Sequence, residues 1–117
     1  GKRTLTQFTG DAIMAGSLQY VYRSTATSSA EEVQLVGHRC KLMSIKLHNT
    51  DAVAQTIYLY DDTSDTAGNL FATIVVAANT TLDLDYHGAM LGIGLYLKRA
   101  AVGSTGANEV IVSAQAR

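Results

Sequence analysis

Proline and tryptophan are absent from this 117-residue chain, and cysteine occurs once, at Cys40. Without a second cysteine there is no intrachain disulfide, so the fold rests on packing alone and a reducing cytosol suits its assembly. Without proline, every turn falls to Gly, Asn, Asp and Ser. Charge is scarce: 16% of residues, nine basic against ten acidic, for a net charge of -1. That balance excludes the basic footprint of a nucleic-acid or anionic-lipid binder. The longest apolar candidate, Leu70 to Ala78, is about half of the ~20 residues a membrane-spanning helix needs. Gly1-Lys2-Arg3-Thr4-Leu5 has no apolar run behind its charges, so the expectation is a protein made in the cytoplasm without an export signal.

What is present is alternation. Apolar residues make up 47% of the chain, ample for one core at a length that fits one domain. Period-two patterning runs through Leu18–Arg23, Lys41–Asn49, Gln55–Tyr60, Leu82–Tyr86, Leu91–Lys98 and Glu109–Ala114, with Val33–Val36 as a shorter candidate. In the second of these segments Met43, Ile45 and Leu47 are expected inward, against Ser44, Lys46 and His48 outward. Leu70–Ala77 is a β-branched apolar run of strand length. Gly92 and Gly94 inside Leu91–Lys98 imply a bulge or a close backbone approach. No helical stripe reaches ten residues; the best, Asp11 to Val21, is broken at Gly16-Ser17. About eight short strands predict an all-β antiparallel sandwich or small barrel over residues 18–117. Residues 1–17 lack a continuous pattern and read as an extended N-terminal arm or edge strand.

The residues that carry chemistry do not assemble into a recognised site. His38-Arg39-Cys40 supplies two metal-ligand types where structural zinc needs four, and His48 and His87 have no ligand at a fitting spacing. Asp61, Asp62, Asp65 and Gly68 depart from the EF-hand order and read as a solvated Asx-turn loop. Asp83 and Asp85 share a strand face, the ordinary spacing of solvent-facing acids. Gly103-Ser104-Thr105-Gly106 is not a nucleophile elbow, and Gly92-Ile93-Gly94 is followed by Leu97 where a dinucleotide loop needs a third glycine. Cys40, at a strand start, reads as a small core residue. No catalytic residue, metal or cofactor is expected, and no nucleic-acid or membrane partner.

Six tyrosines stand beside two phenylalanines. Tyr covers apolar area while keeping its hydroxyl wet, and charge is depleted at interface centres. Tyr20 with Tyr22 and Tyr58 with Tyr60 each share a strand face. The pairs are read either as core lining or as a subunit interface.

Lys41-Leu42-Met43-Ser44-Ile45-Lys46-Leu47-His48-Asn49-Thr50, then Thr56-Ile57-Tyr58-Leu59-Tyr60-Asp61-Asp62, resembles small structural proteins of tailed-bacteriophage virions. So do Gly94-Leu95-Tyr96-Leu97-Lys98 and Glu109-Val110-Ile111-Val112; the likeness runs over residues 41 to 115. It is closest in kind to small capsid decoration (cement) proteins. The resemblance implies an antiparallel β-sandwich or jelly-roll-like module on the capsid surface, bridging neighbouring major capsid protein subunits and associating with its own copies, often as trimers. The N-terminal arm, outside the stretch that carries the resemblance, fits that role as a capsid-binding element, with Lys2 and Arg3 offering charge and Leu5 and Phe8 apolar anchors. Another virion part, such as a head–tail connector or fibre-associated module, and a carbohydrate-binding sandwich are the alternatives.

Overall fold

The computed structural model describes residues 18–25, 30–100 and 109–117. The arm expected at 1–17 and the hairpin loop at 102–108 lie outside the described residues. Eight strands follow in order: β1 (Leu18–Thr25), β2 (Glu31–Val36), β3 (Cys40–Asn49), β4 (Gln55–Tyr60), β5 (Leu70–Val76), β6 (Thr80–Leu91), β7 (Leu95–Arg99) and β8 (Glu109–Ala116). The one helical element among the described residues is a 3-10 turn at Ala67–Asn69.

The two halves of the chain pair in reverse. Strand β1 runs antiparallel to β8, β2 to β7, β3 to β6 and β4 to β5. This doubled ribbon is rolled up by two lateral joins, β3 to β8 and β4 to β7. Two four-stranded sheets result, ordered β1-β8-β3-β6 and β2-β7-β4-β5. That order is the jelly roll, and the all-β sandwich read from alternation holds.

Alternation builds the core between the sheets. Leu42, Ile45, Leu47, Val110 and Val112 from the first sheet meet Ile57, Leu59, Leu95 and Leu97 from the second, none more than 1% exposed. Each such side chain contributes about 1.5–3 kcal/mol by leaving water. Cys40 joins this core, as its position at a strand start predicts.

The phase expected for β3 needs one correction. Ile45 and Leu47 are buried, but Leu42 is buried too, and Met43 is only half-buried. A bulge between Leu42 and Ser44 shifts the register toward both neighbours. Opposite it, Ser44 pairs with Asp85 and Leu42 with Ala89, so Tyr86, His87 and Gly88 form a bulge of their own in β6. There His87 (φ 54°) and Gly88 (φ 78°) adopt left-handed backbone. The turn is held by His87 N–H donating to Asp85 Oδ1 at 2.8 Å.

The expected strand Leu91–Lys98 divides in two. Leu91 ends β6, a turn occupies 92–94, and β7 begins at Leu95. Gly94 marks a close approach: a Cβ there would lie 2.5 Å from the Val36 carbonyl oxygen and 3.2 Å from that of Asp62.

At one end of the sandwich the interior turns polar. Ser24, Asn49, Asp51, Gln55 and Arg99 are all at most 1% exposed. Arg99 donates from Nη1 to Ser24 Oγ (2.7 Å) and from Nε to Gln55 Oε1 (2.9 Å). Ser24 Oγ and Tyr22 Oη both donate to Glu31 Oε1, at 2.6 and 2.9 Å. Gln55 Nε2 reaches Asp51 Oδ2 at 3.1 Å, and Asn49 Nδ2 reaches the carbonyls of Val76 and Ala77. Strands of both sheets are thereby tied together by hydrogen bonds inside the fold.

Candidate interaction face

The outer face of the β2-β7-β4-β5 sheet carries tyrosine and aliphatic side chains in register. Tyr60 pairs with Tyr96 on one side and Leu70 on the other, while Tyr58 pairs with Lys98 and Thr73. Period two turns Ile57 and Leu59 to the core and half-buried Tyr58 away from it. Tyr60, at a shift in the pairing with β5, is itself buried, at 6% exposure. The rings of Tyr60 and Tyr96 meet edge to face, centroids 6.3 Å apart. Tyr96 donates its hydroxyl to Glu32 Oε1 at 2.7 Å, and that carboxylate, with some burial, pushes the phenol up to about 12. Lys98 Nζ donates to Asp65 Oδ2 at 3.2 Å, which raises the ammonium pKa. Around these rings Lys98 is paired with Asp65 and Glu32 with the Tyr96 hydroxyl, an aromatic centre with a polar rim.

The face ends at β5, the outermost strand of its sheet. Outer strands elsewhere carry charge: Arg23 on β1, Glu31 and Glu32 on β2, Asp83 and Asp85 on β6. Strand β5, Leu70 to Val76, carries none. It exposes Val75 (63%), Leu70 (40%) and Phe71 (37%), the last edge to face with Tyr86 at 6.1 Å. An edge without Lys, Pro or inward charge is unprotected against pairing with another chain.

The structure places half-buried Tyr58 on this face and adds half-buried Tyr96 with exposed Leu70 and Val75, while Tyr60 pairs beside them but is buried. Tyr20 and Tyr22 lie on the other sheet, half-buried and packed against the core. Burial and the Glu31 carboxylate push Tyr22 up to about 12. The two tyrosine pairs are not neighbours. Lys2, Arg3, Leu5 and Phe8 lie outside the described residues. The one available signal for Leu70 and Val75 was a strand-length run with no charge in it.

The carboxylates of the Asp61 loop go to separate partners. Asp61 Oδ1 accepts from the amides of Ile93 (2.8 Å) and Gly94 (3.2 Å), and its Oδ2 from Gly92 (2.9 Å). Burial alone would raise this carboxyl; the three amides outweigh it and hold the pKa below its ordinary value. Asn69 Nδ2 and the Thr63 amide do the same for Asp62. His48 Nδ1 lies 2.6 Å from Thr81 Oγ1 and His38 Nδ1 2.9 Å from the Arg39 carbonyl. Burial, then Asp61, raises the Cys40 thiol. Among the described residues no group of three or more His, Cys, Asp or Glu is placed to hold a metal ion. None of the described helices is long and apolar enough to cross a membrane.

No family model matches the chain, and no curated protein sequence matches it. Solved structures do. The crystal structure of PirA superposes with a TM-score of 0.53 at 15% identity, over 84% of this chain and 94% of PirA. The structure of infectious bursal disease virus, Gt strain, matches at a TM-score of 0.32 and 15% identity, over 86% of this chain and 30% of that one. At such identity the PirA likeness establishes a shared fold and nothing about activity.

Proposed function

We propose that this chain is a structural protein of a tailed-phage virion. In this reading it sits on the capsid surface, decorating the expanded shell and stabilising it by bridging neighbouring major capsid protein subunits. It is made in the host cytoplasm and associates with further copies of itself, as a trimer. The observation that carries the reading is the uncharged β5 edge with Val75 and Leu70 beside the tyrosines of the same sheet, a surface fitted to neighbours. The resemblance of residues 41 to 115 to decoration proteins supports it. The implied action is mechanical: a subunit that binds only the expanded state stabilises that state by mass action, and many copies add modest contacts.

Co-sedimentation tests it. The protein should pellet with expanded empty capsids from the same genome and not with unexpanded ones. Val75→Lys, which puts a blocking charge on the edge, should remain in the supernatant; a residue this exposed changes stability by about 0.5 kcal/mol or less. Binding to isolated tails or connectors instead would move the protein to another virion position. Binding to none of these would end the proposal.

A further inference from the structure

The opposite surface of the sandwich, the outer face of β1-β8-β3-β6, is hollowed. A cavity of about 600 Å³ lies over Ser44 and Ser113, between the longer side chains of Gln19, Gln115, Lys46, Asp83 and Asp85. Register explains the shape. One row across the four strands reads Gln19, Gln115, Ser44, Asp85; in the next, Ser113, Lys46 and Asp83 stand side by side. The short serines on the two central strands form a low floor, and the long side chains form the walls. Next to this row, β3 and β6 carry facing bulges at Met43, which lines the groove, and at His87-Gly88. Bulges of this kind re-aim side chains and are over-represented beside functional sites.

We propose that this groove binds a neutral oligosaccharide. A peptide cannot add here as a strand, because β8 and β3 are already paired on both sides, so recognition falls to side chains. Two carboxylates against one ammonium disfavour phosphates and acidic ligands. The polar groups present are of both kinds. Gln19 spends one N–H on Ser113 Oγ at 2.6 Å and keeps its carbonyl oxygen. Asp83 is only loosely held, 3.8 Å from Lys46 Nζ. Among the described residues the Gln115 amide and the Ser44 hydroxyl have no side-chain partner. Donors and acceptors interleaved in this way suit hydroxyl groups, each of which both gives and takes a hydrogen bond. Four strands about 4.8 Å apart spread the row over about 14 Å, room for more than one sugar ring. Met43 supplies an apolar spot for a C–H face. With no aromatic ring in the groove, the affinity is on the order of millimolar.

The test is a nitrogen-15 NMR titration of the full chain. The probes are neutral trisaccharides of glucose and of N-acetylglucosamine, with inorganic phosphate and calcium chloride as charged comparisons. At least one neutral sugar should shift the amides around Ser44, Lys46, Asp83, Asp85, Ser113 and Gln115. Ser44→Arg, which fills the floor, and Gln115→Ala should each weaken that response about tenfold, with melting temperatures unchanged. No shift at about 10 mM of any sugar would overturn the proposal. So would shifts centred on Tyr58 and Tyr96, shifts that survive Ser44→Arg, or shifts produced by phosphate or calcium in place of the sugars. None of these outcomes bears on capsid binding, which is measured separately.

Discussion

Arg99 Nη1 donates to Ser24 Oγ at 2.7 Å across 75 positions of sequence. Arg99 belongs to β7 and Ser24 to β1, so this bond joins the two sheets within the fold. Arg99 also holds Gln55, and Ser24 passes a hydrogen bond on to Glu31. Truncating the guanidinium leaves these groups buried and short of a partner. Arg99→Ala should cost about 3–5 kcal/mol, read as a drop in the urea midpoint with little change in slope. Glu31→Gln in the same background should recover part of the loss.

Gly94→Ala brings a Cβ against two backbone oxygens, the nearer at 2.5 Å. Backbone cannot swing aside as a flexible side chain does, so the turn at 92–94 must shift. Destabilisation of about 1–3 kcal/mol is expected, with amide shifts concentrated at Val36, Asp61 and Ile93.

Acid should weaken the fold through Asp61 and Asp62. Both carboxyls sit below their ordinary value of 3.8 when folded, so the unfolded chain binds protons first as pH falls. Their stabilisation is present above about pH 4 and is lost as pH drops through the lower, folded-state values. Asp61→Asn should flatten that part of the stability curve, measured by urea midpoints between neutral and strongly acidic pH. An unchanged acid slope would remove the carboxylate from the account.

At the alkaline end the sign reverses. Tyr22 and Tyr96 are both raised from 10.0 to about 12, so the folded state keeps protons that the unfolded state has lost. The stabilisation they give is present below pH 10 and disappears as pH rises toward 12. Ultraviolet absorbance should show Tyr22 and Tyr96 ionising late in the folded protein, together with Tyr86, which burial also raises. Tyr22→Phe and Tyr96→Phe should each delete one of them.

Much of the sandwich was legible because half-buried strands alternate. Outward Asp83 and Asp85 follow from period two and buried Cys40 from its place at a strand start, whereas alternation set Ile57 and Leu59 opposite Tyr58 and Tyr60 without telling which side faces the core. Met43 was misplaced because a bulge inserts a residue and shifts the phase, which no alternation count reveals. Strand β6 runs from Thr80 to Leu91, well past Tyr86, for the same reason. The polar interior was visible in hindsight: Arg99 stands in phase with Leu95 and Leu97, and Gln55 with Ile57 and Leu59. The interaction face is assembled by pairing between β4, β5 and β7, and strand order is not written in any one strand. The groove, likewise, needs residues from four strands that only the rolled ribbon aligns.

Electron cryomicroscopy of intact particles tests the central claim most directly. Density for a two-sheet module should stand on the outer surface at junctions between major capsid subunits. The β5 edge, with Val75 and the tyrosine face, should be turned toward a neighbour. Particles whose shell lacks that density, or carries it attached by the opposite sheet with β5 open to solvent, would contradict the account.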